Sequence, residues 1–271
     1  MLCTKIDNLN EIPKGYVIQP KLDGVRALYL NGKMLGRVRD NGHQSDYFET
    51  MNIIPIRIGL LNKDVVLDGE ICVFENGISH LNLLMRKENQ LRAVYVIFDI
   101  LWLDGKDLSK LPYFERIEIL KEWYKKTLIP NDKSPIRILD FINYSEPLIK
   151  KMYEAGLEGI VAKKLNSQYL IDWGNPCEEM RTPLWLKFKF WKTTDVKIKG
   201  LKPSEHNSHG ALITEKGDVG LLTMANLEYY KNNKPEYAKV RFLEMSEKGK
   251  MRKPTLLGFK VLKSQSIGNV K

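Results

Sequence analysis

The chain has 271 residues, 43% of them hydrophobic and 28% charged, enough to bury a core in one large or two modest domains. No stretch approaches the roughly 20 apolar residues of a membrane span, and the first residues, Met1-Leu2-Cys3-Thr4-Lys5-Ile6-Asp7, lack the apolar run of a signal peptide. Net charge is +10 and unevenly placed: residues 192–271 hold 16 Lys/Arg against 8 Asp/Glu, and residues 1–191 hold the other 27 and 25. A small basic part behind a larger, near-neutral one points to a polyanion partner, most simply nucleic acid, with a basic surface kept for solubility as the alternative. Cys3, Cys72 and Cys177 show no metal-ligand spacing, so neither a disulfide framework nor a zinc site is suggested, and a reducing, cytoplasmic setting is the default.

In chain order, Tyr16-Val17-Ile18-Gln19 reads as a strand that ends at Pro20, which cannot donate a ladder hydrogen bond. Lys21-Leu22-Asp23-Gly24 is then a loop, and Val25 to Leu30 a second strand. Lys21 is a candidate nucleophile if partial burial beside other cations lowers its pKa; the plainer reading is a strand-end lysine paired with Asp23. Asn31-Gly32 predicts a hairpin into Lys33–Val38. Residues 47–60 contain a short helix. Asp64 to Phe74 reads as a buried strand interrupted by Asp68-Gly69-Glu70, where Asp68 would shape a turn, and Glu75-Asn76-Gly77 turns the chain. Ala93 to Leu101 is a central strand that ends before Asp104-Gly105.

A helix begins at Leu111-Pro112-Tyr113, with Ile117, Leu120, Trp123 and Tyr124 on its buried face. Ser145 is an expected N-cap for a helix ending near Gly156. Glu158 to Lys163 is a short strand, 168–181 a loop, and Trp185 to Phe190 an alternating strand with Lys187 and Lys189 on one face. Beyond Trp191 the pattern predicts strands over 195–201, 210–214, 219–224, 238–245 and 255–262, with a helix over 226–232. Five short strands and one helix suit a small barrel of the OB type.

Charged side chains therefore collect at strand ends in a fixed order: K-L-D-G-V-R, L-D-G-E, V-I-F-D-I-L, E-G-I-V-A-K and W-L-K-F-K. Cations on several strands around two carboxylates make a site for a metal-bound polyphosphate. There is no Gly-rich phosphate loop, so side chains would hold the phosphate. Singly, Glu70 and Glu158 could be strand-end acids, Phe98 core filler, and Lys187 with Lys189 a solvated face.

The ordered set resembles the nucleotidyltransferase motifs of ATP-dependent DNA ligases, a superfamily shared with RNA ligases and mRNA capping enzymes. Gly105-Lys106-Asp107-Leu108 and Leu111-Pro112-Tyr113-Phe114-Glu115-Arg116 are similar to DNA ligases in particular. The resemblance implies an α+β nucleotidyltransferase adenylation domain, ATP-grasp-like with antiparallel sheets and helices, over residues 1–191, and a C-terminal β-barrel OB-fold domain over 192–271. It implies that Lys21 takes AMP from ATP, is displaced as the AMP passes to the 5′-phosphate of nicked double-stranded DNA, and that the 3′-OH then displaces AMP and seals the strand. By the same resemblance Gln19, Arg26, Arg37, Glu70, Phe98, Lys187 and Lys189 bind the nucleotide, Phe98 by stacking on adenine, Glu70 at the ribose and the lysine pair at the α-phosphate. Arg39 competes with Arg37, since Gly36 stands where the family has serine. Glu158 associates with magnesium or manganese, and Lys163 closes its motif without an assigned role. The family's last motif lacks its Asp here, leaving Lys260 and Lys263 as weak candidates. The expectation is a minimal ligase without a preceding DNA-binding domain, a monomer off the membrane; the alternatives are an RNA ligase, a capping enzyme, or a non-catalytic nucleic-acid-binding module.

Overall fold

The computed structural model describes residues 1–38, 41–60, 64–128, 134–178, 180–202, 210–220, 222–246 and 248–260. Arg39 and Lys263 lie outside the described residues. The chain divides into two units, Met1–Lys189 and Phe190–Lys271.

The first unit runs β1 (Leu2–Lys5), β2 (Tyr16–Pro20), β3 (Val25–Leu30), β4 (Lys33–Val38), β5 (Gln44–Asp46), short helices α1 (Tyr47–Thr50) and α2 (Ile54–Gly59), and β6 (Val65–Cys72). Next come β7 (Phe74–Glu75), β8 (Ile78–Ser79), α3 (Leu81–Leu84), β9 (Val94–Leu103) and β10 (Lys106–Asp107). Helix α4 (Tyr113–Thr127), β11 (Ile136–Ile138), β12 (Ile142–Asn143), α5 (Glu146–Glu154), β13 (Gly159–Lys164) and β14 (Arg181–Lys189) complete it. One sheet has the order β1-β14-β13-β2-β12; the other has β10-β9-β6-β3-β4-β5, with β11 on β9. The chain leaves the first sheet at the end of β2 and enters the second at the start of β3, so residues 21–24 bridge the two.

Local chemistry explains the main elements. Asn31 and Gly32 both take positive φ (49° and 74°), the backbone a two-residue hairpin turn demands, and β4 folds back on β3. Helix α4 starts after Pro112, carries Glu115 in its first turn and Lys125 and Lys126 in its last, and so matches its dipole at both ends. Its face of Tyr113, Arg116, Ile117, Leu120, Trp123 and Tyr124 is buried against the core. Arg116 on that face is fully buried and donates to both oxygens of Asp99 at 2.7 and 2.8 Å, and to the carbonyls of Leu111 and Ser167. Ser145 occupies the N-cap of α5 as expected, but its side chain makes no capping bond.

Two expectations for this unit are corrected. Asp68-Gly69-Glu70 does not interrupt a strand: β6 is continuous and central, paired to β3 and β9 on its two sides. The irregularity is instead a shift of register between Asp68 and Gly69, where Asp68 faces Asp99 and Gly69 faces Ile97. Phe98 is the extra residue of that bulge. The region 47–60 holds two short helices rather than one.

The second unit runs β15 (Lys192–Lys202), β16 (Ala211–Thr214), β17 (Gly217–Val219), α6 (Met224–Asn233), β18 (Tyr237–Phe242) and β19 (Thr255–Lys260). Its sheet has the antiparallel order β17-β16-β15-β18-β19, around a small core that includes Val196, Leu212, Val219, Leu227, Ala238 and Val240. The strand expected over 219–224 ends at Val219, because Thr223 caps α6 by accepting from the Asn226 N–H.

Candidate active site

Lys21 sits on the bridge between the two sheets of the first unit. Its backbone N–H donates to the Gly159 carbonyl at 2.9 Å. Its Nζ donates to Glu158 Oε2 at 2.7 Å and to the Leu22 carbonyl at 3.3 Å. The other Glu158 oxygen lies 2.7 Å from Lys189 Nζ. Register produces this cluster: Glu158 immediately precedes β13, and Gly159 pairs with Lys189 at the end of β14. Gly159 is required there, because a Cβ would meet the Phe188 carbonyl at 2.1 Å. The Glu158 side chain is 4% exposed, and the two lysines about a fifth each.

The electrostatics correct one expectation. Burial alone would lower the pKa of Lys21, but Glu158, Glu70 and Asp23 outweigh it and the pKa is raised. Lys21 is therefore held as an ammonium by acids, not made neutral by cations. Burial would raise Glu158, yet Lys21 and Lys189 hold its carboxyl below the usual range. Burial pushes Glu70 up to about 7, with the nearby Glu158 charge adding to it and Lys21 opposing it. The Gly24 N–H donates to Glu70 Oε1 at 3.2 Å, and Gly24 itself has no room for a Cβ against the Ile71 carbonyl.

Directly paired residues of adjacent strands share a face. Val161 pairs with Gln19 on one side and Lys187 on the other, so these two side chains join the face that carries Lys163 and Lys189. The Lys187 pKa is lowered by burial, against a pull from Cys3, with the cations Arg181, Lys21 and Arg37 adding to the fall. Gln19 is buried and its amide donates to the Leu139 carbonyl at 2.7 Å. Phe98 is aimed by its bulge, a device that redirects a side chain next to sites, and keeps part of its surface accessible.

Arg26 is placed differently. Its guanidinium is locked into a bidentate pair with fully buried Asp68 at 2.9 and 2.8 Å, and also donates to Tyr169 Oη and the Met1 carbonyl. Tyr169 in turn donates to Asp68 at 2.6 Å. With exposed Arg37, Arg26 lines a narrow cleft walled by Leu28, Leu35, Gly36 and Cys177, while Arg26 and Lys21 both act on Glu70, and Arg37 and Lys21 both act on Lys187. Sequence reading missed Asp68 and Tyr169 as the anchors of Arg26. The one available signal was an aspartate inside an otherwise apolar strand, which needs a buried partner.

Among the described residues no group of three or more His, Cys, Asp or Glu side chains gathers. Glu158 could hold a divalent cation only with further oxygens from a bound ligand, the mixed ligand set magnesium ordinarily takes.

A lysine on a carboxylate at a sheet-to-sheet bridge, with a second lysine on the same carboxylate, gathers cations that could hold an anionic ligand such as a phosphate. Residues 1–189 match the family described as the ATP dependent DNA ligase domain, and the chain belongs to that family. It is 28% identical over 207 residues to the multifunctional non-homologous end joining protein LigD of Mycolicibacterium smegmatis, a match covering 76% of this chain and 25% of that protein. This chain thus spans about a quarter of that relative's length. A solved Lig E DNA ligase aligns with a TM-score of 0.66 at 14% identity, over 96% of this chain and 98% of its own. A mycobacterial DNA ligase D complexed with ATP aligns at 0.56 and 19%, over 96% and 95%. The likeness shows the mixed α/β fold of ligase domains.

Proposed function

We propose that this chain is an ATP-dependent DNA ligase that seals nicks in double-stranded DNA. The observation that carries the reading is the ion-paired cluster of Lys21, Glu158 and Lys189 at the bridge between the sheets. Lys21 is the nucleophile: once its proton is shed, its nitrogen attacks the α-phosphorus of ATP, a P–N bond forms, and the bond to pyrophosphate breaks. Lys187 and Lys189 neutralise the charge that develops on the phosphate. Glu70 hydrogen-bonds the ribose and Phe98 stacks on adenine. Gln19, Arg26 and Arg37 border the nucleotide and the nick phosphate, Arg26 held in place by Asp68. Magnesium or manganese on Glu158, when bound, supplies further charge neutralisation at the transferred phosphate.

The lysyl-AMP then serves two more substitutions at phosphorus. The 5′-phosphate of the nick displaces Lys21 from AMP, and the 3′-OH displaces AMP and seals the strand. One cluster of fixed cations suits all three steps, because each develops negative charge on a phosphate at the same place. The second unit, strands β15 to β17, then α6, then β18 and β19, fits an OB-type barrel in its element order, and its surplus positive charge suits the phosphate backbone. On this reading residues 1–191 and 192–271 are the adenylation and OB-fold domains of a monomer.

The test is incubation with α-labelled ATP or GTP and magnesium, a denaturing gel, then nicked duplex. Label retained from ATP, absent in Lys21→Ala and discharged on nicked DNA with sealing, is the expected result. Label from GTP would assign a capping enzyme, discharge only on nicked RNA an RNA ligase, and no label at all a binding module.

A further inference from the structure

Lys163 is a buried cation caged by aromatic rings. It is 2% exposed, and among the described residues it forms no ion pair. Its Nζ lies 3.8 Å from the ring centre of Trp185, 4.5 Å from that of Tyr113 and 4.7 Å from that of Phe98. The Tyr113 hydroxyl is 3.4 Å away. Removing an ammonium from water without a carboxylate is costly, and a methionine would fill the same aromatic cage without that penalty. The three rings are not equivalent. Trp185 and Tyr113 are 2% and 0% exposed, whereas Phe98 sits on the β9 bulge and keeps accessible surface. Phe98 is therefore where the buried charge can act on something outside the core.

We propose that Lys163 is a positioning residue for the adenine base, acting through Phe98 as a cation–ring–purine stack. An aromatic face carries negative quadrupole density, so two such faces laid together repel. An ammonium over one face of Phe98 draws that density towards itself. The ring is thereby fixed in orientation and becomes a better platform for an electron-rich purine. The inference rests on the reading that Phe98 stacks on adenine, and it adds a specificity role to a lysine that contacts no substrate.

The groups facing Lys163 come from four elements. Asp99 on β9, Asp68 on β6 and Cys3 on β1 favour its charge, while burial and Arg116 on α4 oppose it; the pKa falls to about 8. The ammonium is thus present at neutral pH and lost in the alkaline range.

The experiment uses the full chain and compares wild type, Lys163→Met and Phe98→Leu for the KM and kcat of self-adenylation. Equilibrium ATP binding is followed from pH 7 to 9.5, beside purine riboside triphosphate, which lacks the electron-donating amino group. Wild type should lose ATP affinity through about pH 8 and lose less for the electron-poorer base. Lys163→Met should raise the KM for ATP about three- to tenfold at pH 7 with kcat little changed, and should abolish the pH step. A structural role alone would not move the base preference with pH. If Phe98→Leu raises KM but Lys163→Met does not, the inference about Lys163 is overturned and the stacking reading stands. If Phe98→Leu leaves KM unchanged, the stacking reading itself falls. Should Lys163→Met not fold, the wild-type comparison of the two triphosphates still decides: a preference that is flat through pH 8 sinks the proposal.

Discussion

Glu70 offers a direct measurement of what the site costs the fold. Its carboxyl titrates at about 7 in the folded chain, against an ordinary value of 4.5. Below pH 4.5 both folded and unfolded states carry the proton. Between 4.5 and 7 the unfolded chain ionises and the folded one does not, so stability falls as pH rises; above 7 the full cost is present. At roughly 1.4 kcal/mol per pH unit of difference, that cost is about 3 kcal/mol. Glu70→Gln keeps the shape and cannot ionise, so its stability relative to wild type should climb by about 3 kcal/mol between pH 4.5 and pH 8. For a unit of this size that is a rise of about 6–12 °C in Tm at the alkaline end relative to the acid end. Urea unfolding followed by tryptophan fluorescence suits the assay, since Trp102, Trp123, Trp173 and Trp185 all lie in the first unit. A stability difference that stays flat with pH would refute the argument that burial dominates at Glu70.

Asp99→Ala strands Arg116 in a fully buried position and should destabilise the first unit by about 3–5 kcal/mol in urea unfolding; Asp99→Leu with Arg116→Met should recover most of that loss. Gly159→Ala drives a Cβ into the Phe188 carbonyl, so the start of β13 must move. Labelling of Lys21 by ATP should fall by at least about a hundredfold while most of the fold survives, as circular dichroism would report. Arg26→Lys keeps the charge but loses the paired bonds to Asp68 and should cost about 2–3 kcal/mol; an unchanged denaturation midpoint would mean that the Asp68 pair contributes nothing net.

The parts legible in the sequence are those set by local rules. Asn31-Gly32 fixes its hairpin through positive φ alone, α4 follows from an apolar face at helical spacing after a proline, and the part of β14 from Trp185 follows from strict alternation, whereas its start at Arg181 falls where the sequence reads as a loop. What the sequence left hidden is set by register between distant strands. Asp68-Gly69-Glu70 looks like a turn because Gly and Asp are common in turns, yet it lies in a central strand: the ring of Tyr95 packs where a Cβ of Gly69 would be, and Asp68 is neutralised by Arg26 across the sheet. Taken singly Phe98 reads as core filler and only the resemblance assigns it to adenine; the bulge opposite Asp68 and Gly69, which leaves Phe98 unpaired, has no sequence signal of its own. Strand β1, four residues long and parallel to β14, has too little pattern of its own to be seen. The candidate residues were readable because the charges recur in a fixed order; that Lys21 and Lys189 share Glu158, and that Arg26 is locked to Asp68, was not.

The raised pKa of Lys21 gives Glu158 a second task under the proposed reaction. A nucleophilic amine exposed near neutral pH reacts with any electrophile that enters the site, whereas one held as an ammonium does not. Glu158 Oε2 accepts from Lys21 at 2.7 Å, and its charge is the largest influence that favours the ammonium. A bound triphosphate would compete for Lys189, and a divalent cation held by Glu158 would compete for the carboxylate, so either would weaken the hold of Glu158 on the Lys21 proton. Burial, which already opposes the charge on Lys21, would then be opposed by Glu70 and Asp23 alone, which moves Lys21 toward the free amine. The contact that silences the free site is the one its substrate must break, so Glu158→Gln should label with small amine-reactive reagents at Lys21 faster than wild type when no nucleotide is present. Equal labelling rates would show that Glu158 does not control the proton.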